Sequence, residues 1–417
     1  MHAAESHKGL LAQYQVMRYA YGKNTDTAFR LIFGQYLSWY QTFIGDYPDA
    51  SASFSIKQLA APDDHASPLA GGYSPRAALA AIPELARGYR AVFFNEAHNV
   101  PLTRTLTAQL LRKLREEGFN YFAAETLYQT DTGLAARGYP VKNSGFYTEE
   151  PIYAEMVRTA LKLGFKVVAY EATSDATGDA REKEQAVNLY HEVFQKDPHA
   201  RLVLNAGYAH IQSSGSFLGG SSMAEHLHKL AGVTALTVEQ TVMFPHQLSH
   251  DDHPYYDAVI EHIHPTVPIV FVDGGGKPWT LRDGYDVSVF FPAQQFESGR
   301  PTWASLGGLR KPFPVSGDRC RGDYPCLVEA RYIDEGRDSI PADVLVLDPV
   351  PLNATPNDRI LYNRSDPNGM LYLRPGKYRL TYTDQKNVVL LQHEIEIPAA
   401  APASTPAPAA SARATST

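Results

Sequence analysis

Four apolar runs of strand length in this chain end in ionisable residues, and a fifth ends in an acid. Ala91 to Phe94 is followed by Glu96 and, two residues on, His98; Tyr121 to Ala124 runs into Glu125; Lys166 to Tyr170 into Glu171. The run in ARLVLNAGYAHI leads to Asn205, Gly207, Tyr208 and His210, and Thr234 to Val238 leads to Glu239. Surface loops hold many single acids, so one such group means little; the repetition is informative. In an open parallel sheet the carboxyl ends of the strands face the ligand crevice. Carboxylates and imidazoles gathered there have two chemical readings. They ligate a divalent metal that activates water, with Glu96, His98 and His210 as the set, or they form a metal-free acid/base group whose neighbouring charges push the pKa values apart. The reading without chemistry has each group capping the next helix or pairing with a surface cation. That alternative weighs more for Glu171 and Glu239 taken singly than for the set.

Positioning such groups takes an alternation of strands and helices. Pro101 to Glu117 carries apolar residues at helical spacing between the first two strands, Pro151 to Leu163 opens with Pro in its first turn, and Asp179 to Gln195 and Met223 to Leu230 follow the next two strands. This predicts an α/β fold, a largely parallel sheet with flanking helices. Further strands are expected at Pro268 to Val272 and Val287 to Phe291. Before the sheet, residues 1–76 read as a helical lead-in, with TAFRLIFGQYLSWYQTFIG amphipathic, ending in the loop PDDHASPLAGGYSPR. The α/β domain is then expected over 77–300. From about Phe313 the pattern changes to CLVEARYI, ADVLVL, GMLYL, GKYRLTYT and VVLLQHEIEI between turn residues, a small all-β sandwich over 313–397. Residues 398–417, rich in Pro, Ala, Ser and Thr, cannot bury a core and read as a disordered tail.

The insertion from Tyr128 to Glu150 leaves directly from Glu125 and holds Gly133, Gly138 and Gly145 with Tyr128, Tyr139, Phe146 and Tyr147. It reads as a lid over the strand ends, with Tyr128 and Tyr147, beside Tyr208, Glu171 and Glu239, as substrate contacts.

The elements N-E-A-H at 95–98, A-E-T at 124–126 and G-Y-A-H at 207–210, in this order after successive strands, resemble the erythromycin esterase, ChaN and Tiki superfamily over roughly residues 85–300. Asn95 stands where that family has Gly; Asn tolerates left-handed backbone, so a turn is expected there. The resemblance implies an α/β fold with its site at one sheet edge. It also implies a hydrolase acting on an ester or amide of a small molecule or peptide, either metal-free or assisted by a divalent metal. His98 would be base or ligand, Glu96 and Glu125 would orient or ligate, and His210 would complete the site. Other members bind haem, which gives the alternative of a non-covalent haem-binding protein with His210, Tyr208 or a lid tyrosine on the iron; no C-x-x-C-H attachment motif is present. A third reading puts binding in the β domain.

The remaining features set limits. A net charge of -7 over 417 residues, with no basic run, gives no reason to expect nucleic acid. No apolar stretch approaches the roughly 20 residues of a spanning helix. The oligomeric state is not legible. Two cysteines, Cys320 and Cys326, sit six apart in CRGDYPC, where a local disulfide and two free thiols are both open. The start lacks the pattern of a secretory leader. The cysteine pair and the tail favour a periplasmic or secreted protein over a cytoplasmic one. The histidines 246, 250, 253, 262 and 264 lie among prolines at 245, 254 and 265, so a solvated or site-rim loop is expected rather than a zinc site. GGGK at 274–277 lacks the context of a phosphate loop, and no G-x-S-x-G elbow is present.

Overall fold

A computed structural model describes residues 2–349 and 367–399. In chain order the elements begin with helices α1 (His2–Glu5), α2 (Leu10–Lys23), α3 (Thr27–Phe43) and α4 (Tyr47–Ser53). Strand β1 (Tyr73–Ala77), helix α5 (Ala78–Ala86), β2 (Ala91–Glu96), α6 (Leu102–Glu116), β3 (Tyr121–Ala124), α7 (Leu134–Arg137), α8 (Pro151–Lys162) and β4 (Lys166–Val168) follow. Next come α9 (Asp179–Leu189), β5 (Leu202–Gly207), α10 (Met223–Ala231), β6 (Ala235–Glu239), α11 (Pro254–Ile263), β7 (Ile269–Asp273) and β8 (Val287–Ser288). Two short strands, β9 (Phe296–Glu297) and β10 (Arg300–Pro301), precede the C-terminal strands β11 (Lys311–Ser316), β12 (Cys326–Tyr332), β13 (Asp343–Leu347), β14 (Asn368–Leu373), β15 (Gly376–Thr383) and β16 (Val389–Ile397).

The central sheet has six parallel strands in the order β4-β3-β5-β2-β6-β8. Its middle strands β2 and β5 are buried along their whole length. Sheets covered by helices on both faces require this, and it explains why AVFF and LVL are unbroken apolar runs. One face is filled by α5, α6 and α8 (Leu106, Leu110, Met156, Val157 against Val92, Phe94 and Phe122), the other by α9, the helical turn Tyr190–Phe194 that continues it, and α10 (Leu189, Val193, Leu227 against Phe93 and Leu204). The expected α/β architecture with a largely parallel sheet is what the chain forms. The order matters for the site. β5 enters between β3 and β2, so the group after β5 lies between those after β2 and β3, although it comes last in sequence.

Two details depart from expectation. Residues 73–77, read as the end of a loop, form β1, which pairs antiparallel with β7 (Tyr73 opposite Asp273) in a separate two-stranded sheet. The run at 268–272 is thus a strand, but it lies outside the main sheet. That pairing partner is 200 positions away, beyond the reach of local patterning. The C-terminal runs are all strands: β13-β12-β15-β16 form an antiparallel sheet and β11-β14 a second, and Val328, Leu371, Leu373, Tyr378 and Leu380 fill one core with them. Cys320 and Cys326 are joined in a disulfide, their Cα atoms 6.0 Å apart. The tail lies, from residue 400 on, outside the described residues.

The N-terminal helices do not pack on the α/β part alone. Leu37, Tyr40, Phe43 and Ile44 share a core with Leu327 and Val344 of the C-terminal sheet. Buried ion pairs between Arg158 of α8 and Glu335, and between Glu155 of α8 and Arg374, tie the two parts together.

Candidate active site

Glu96 ends β2, and both its oxygens are filled. Arg104 donates from Nε to Oε2 (2.8 Å) and from Nη2 to Oε1 (2.7 Å), Asn205 Nδ2 donates to Oε2 at 2.5 Å, and His98 Nδ1 lies 3.1 Å from Oε1. Burial alone would raise this carboxyl; the Arg104 charge and the His98 and Arg104 hydrogen bonds outweigh it and hold it at about 2, below the usual 4.5. A carboxylate so held only accepts. Nδ1 of His98 therefore carries a proton, and Nε2 is the nitrogen left open to a substrate. Asn205 is oriented in turn by Thr107, whose hydroxyl donates to Oδ1 at 3.0 Å.

Glu125, one residue beyond β3, accepts from the Gly207 N–H at 2.6 Å and lies 3.3 Å from Arg181 Nη2 and 3.4 Å from His210 Nε2. The Nδ1 of His210 reaches Glu182 Oε2 at 2.8 Å. Burial works against the charged form of His210, but Glu125 and Glu182 on its two nitrogens prevail and raise its pKa. The same balance, burial opposed by His210, His98 and Arg181, holds Glu125 below the usual carboxylate range. Two imidazoles of different character thus flank one carboxylate: His98 with Nε2 open, and His210 with both nitrogens on carboxylates that favour its charged form.

The backbone makes this approach close. A methyl on Gly207 would overlap Cε1 and Nε2 of His98 and come within 3.0 Å of Glu125 Oε2. The φ of Gly207 is -72°, so this glycine is needed for space rather than for conformation. We predict that Gly207→Ala displaces the His98 ring and lowers any turnover at least tenfold while circular dichroism stays native; unaltered turnover would place the reacting atoms elsewhere. The adjoining strand exits are strained, Tyr208 at φ 41° and Thr126 at φ 63°.

The centre is closed. His98, Glu125 and His210 are 8%, 5% and 7% exposed. Tyr147 stacks on His98 with ring centroids 4.3 Å apart, Tyr208 meets it edge-on at 5.1 Å, and Trp39 of α3 lies 6.5 Å away. Burial pushes the hydroxyls of Tyr147 and Tyr208 well above the usual range, so both are neutral donors.

The sequence-derived residues divide. Glu96, His98, Glu125, His210, Tyr208 and Tyr147 come together. Glu171 stands one shell out, 2.8 Å from the Arg181 guanidinium that also holds Glu125. Glu239 is buried on the far side of Asn95 and Tyr208, held by Thr241. Tyr128 does not join: it is 41% exposed in a groove with Leu127, Val168 and Glu192. Asn95 is not a turn residue. It lies within β2 and ties strands together, accepting from Gln240 N at 2.6 Å and donating to Tyr208 O at 3.0 Å.

Metal ligation by Glu96, His98 and His210 does not fit. Every acceptor position of Glu96 is taken, and both nitrogens of His210 face carboxylates. Among the described residues no three His, Cys, Asp or Glu side chains are placed to share an ion. Of the later histidines, His246 pairs with Asp252 (2.9 Å) and lines a cleft with Ala97 and Tyr208, and His253 caps α11 and pairs with Asp64 (3.1 Å). The insertion is less of a free lid than expected. Ser144, Tyr147, Thr148 and Glu150 are buried, Gly336 N donates to the Tyr139 hydroxyl oxygen, and Ile340 N to Pro140 O. Shortening all of it would remove core contacts.

Three site residues escaped the sequence reading. Arg104 sits in the first turn of α6, where the helix dipole disfavours a cation; that anomaly was the available signal. Glu182 in the first turn of α9 looks like an ordinary helix-start acid. Trp39 lies in a helix whose aromatics read as core.

No family model matches the sequence, and no curated protein matches it. Solved structures do. The type III effector HopBA1 shares 12% identity over 46% of this chain and 95% of its own, with a TM-score of 0.31. The haem-binding ChaN of Campylobacter jejuni shares 12% over 41% and 87%, with a TM-score of 0.27. RRSP, a MARTX toxin effector domain from Vibrio vulnificus, shares 19% over 36% and 33%, with a TM-score of 0.27. The chain spans about a third of the bacterial toxin structures it matches. These neighbours are distant, and their likeness assigns no activity. No helix among the described residues is long and apolar enough to cross a membrane.

Proposed function

We propose that the chain is a metal-independent hydrolase of an ester or amide, of the erythromycin esterase, ChaN and Tiki type. The observation that carries this is the pair of histidines, each with a carboxylate on Nδ1, facing one point beside Gly207 and Glu125. Water placed there gives a proton to His98 Nε2 as it attacks the substrate carbonyl. The His210 imidazolium offsets the charge of Glu125 beside the developing oxyanion, and the proton then passes from His98 to the departing alcohol or amine. Glu96 orients His98 and stabilises its charged form, as a carboxylate behind a catalytic histidine does. Glu125 holds the His210 ring. Tyr147 and Trp39 exclude water, and substrate enters by their displacement.

The test is a panel of ester, amide and phosphoester substrates with and without chelator. Turnover of an ester or amide that survives chelator, and that is lost in His98→Gln, supports the reading; turnover that needs added metal overturns it. The pH dependence has a defined sign. His210 acts as imidazolium, so kcat/KM should fall as pH rises through its raised pKa, and the fall should be absent in His210→Asn. The alternative, haem on His210 or Tyr208, needs a free imidazole nitrogen or an ionised phenol; the carboxylates on His210 and the raised Tyr208 pKa oppose both. Haemin titration should accordingly give no Soret shift that depends on His210.

A further inference from the structure

Glu239 ends β6 and is 3% exposed. Its Oε1 is crowded: Thr241 donates to it from the backbone N–H and from the hydroxyl (2.7 Å), and Asn95 Nδ2 lies 3.4 Å away. Its Oε2 is also buried and has no hydrogen-bond partner among the described residues. Leaving such an atom unpaired costs free energy, and native proteins rarely do so without a reason. Burial, only partly opposed by Thr241 and Asn95, raises this carboxyl toward its neutral form. With three donors already on Oε1, a proton taken up by this carboxyl sits on Oε2, which then becomes a donor lacking an acceptor.

Glu239 lines a cavity of about 200 Å³. Arg282, its Nε tied to Asp64 at 2.6 Å, and the half-buried Tyr285 add donors to the lining, beside Gln58, Thr241 and Ser288, which both donate and accept. Ile56, Val242 and Leu281 supply apolar surface. Tyr208 joins the two places: its ring packs edge-on to His98 and also lines this cavity. We propose that the cavity receives the tail of the substrate, an apolar stem ending in a ketone, ether or hydroxyl oxygen that accepts a hydrogen bond from Glu239 Oε2. The substrate is thereby an ester or amide with a second oxygen function on one side of the scissile bond. This rests on the hydrolase reading for the direction of the stem.

The experiment uses para-nitrophenyl esters of straight-chain acids of increasing length, each with a methyl or a methyl-ketone end, on the full chain and on Glu239→Gln, Glu239→Met and Val242→Phe. One chain length should show a KM on the order of tenfold lower for the ketone end, the worth of one well-placed hydrogen bond. Glu239→Gln, whose amide still donates, should keep most of that preference, and Glu239→Met should abolish it. Val242→Phe fills the cavity without touching Glu239 and should abolish the preference too, which covers the case that Glu239→Met does not fold. Thermal stabilisation by levulinamide, a ketone-bearing amide, is read in parallel. Turnover with no ketone preference at any length overturns the subsite and leaves the hydrolase reading standing. No turnover, but levulinamide stabilisation lost in Glu239→Met or Val242→Phe, upholds the subsite and overturns the hydrolase reading. Absence of both overturns both.

Discussion

Replacing His98 with alanine is expected to remove hydrolysis by about two to four orders of magnitude, the usual worth of a positioned base, while the melting temperature moves by only a few degrees. The asymmetry follows from the surroundings. Glu96 keeps Arg104 and Asn205 when the imidazole is lost, so no buried charge is left without a partner. What disappears is the stack on Tyr147 and the hydrogen bond from Nδ1, a loss of about 1–2 kcal/mol. Activity per folded molecule and the thermal midpoint, measured on the same preparation, decide the matter. A large fall in stability with turnover retained would make His98 a packing residue and end the mechanism proposed above.

The opposite pattern is expected at Arg104. Its guanidinium is fully buried and holds Glu96 and Glu150 at once, with Nη1 3.0 Å from Glu150 Oε2, while lying over the rings of Tyr147 and Tyr153. Arg104→Met leaves two carboxylates in the interior without their cation, and breaking a buried pair in this way costs about 3–5 kcal/mol. Glu150, already raised by burial in spite of Arg104, takes up a proton first. Arg104→Lys should recover little, because one ammonium cannot span both acids in a fork. Urea unfolding measures this, and a loss under about 1 kcal/mol would show that the network is not needed for the fold. The pH dependence follows from the same pair. The carboxyl of Glu96 is lowered in the folded state, so its stabilisation is complete above the unfolded value of about 4.3 and is lost as pH falls through about 2. The difference in unfolding free energy between the native chain and Glu96→Gln should therefore be constant near neutrality and shrink below about pH 4.

How much of this was legible in the chain itself depends on the range of the signal. Burial on both faces makes AVFF, YFAA and LVL unbroken apolar runs, and polar groups cannot interrupt such runs without cost. The ends of those runs therefore marked the strand ends, and with them Glu96, His98, Glu125 and His210. Helical spacing and Pro151 at a first turn marked α6 and α8 in the same local way, and alternation with turn residues marked the C-terminal strands. Tertiary structure alone decided the strand order. Putting β5 between β3 and β2 is a matter of crossover connections, and it is what seats His210 against Glu125 and Gly207 against His98. The partners that assign chemical roles were decided there too. Asn205 and Arg104 fill Glu96, and Glu182 favours the charged form of His210, because hydrogen bonds at 2.5–2.8 Å join residues 8, 28 and 109 positions apart. Tyr128 and Tyr147 looked alike as loop tyrosines. The fold buries one on His98 and leaves the other outside, because the path of a loop is set by what it packs against and its own residue types do not specify that surface.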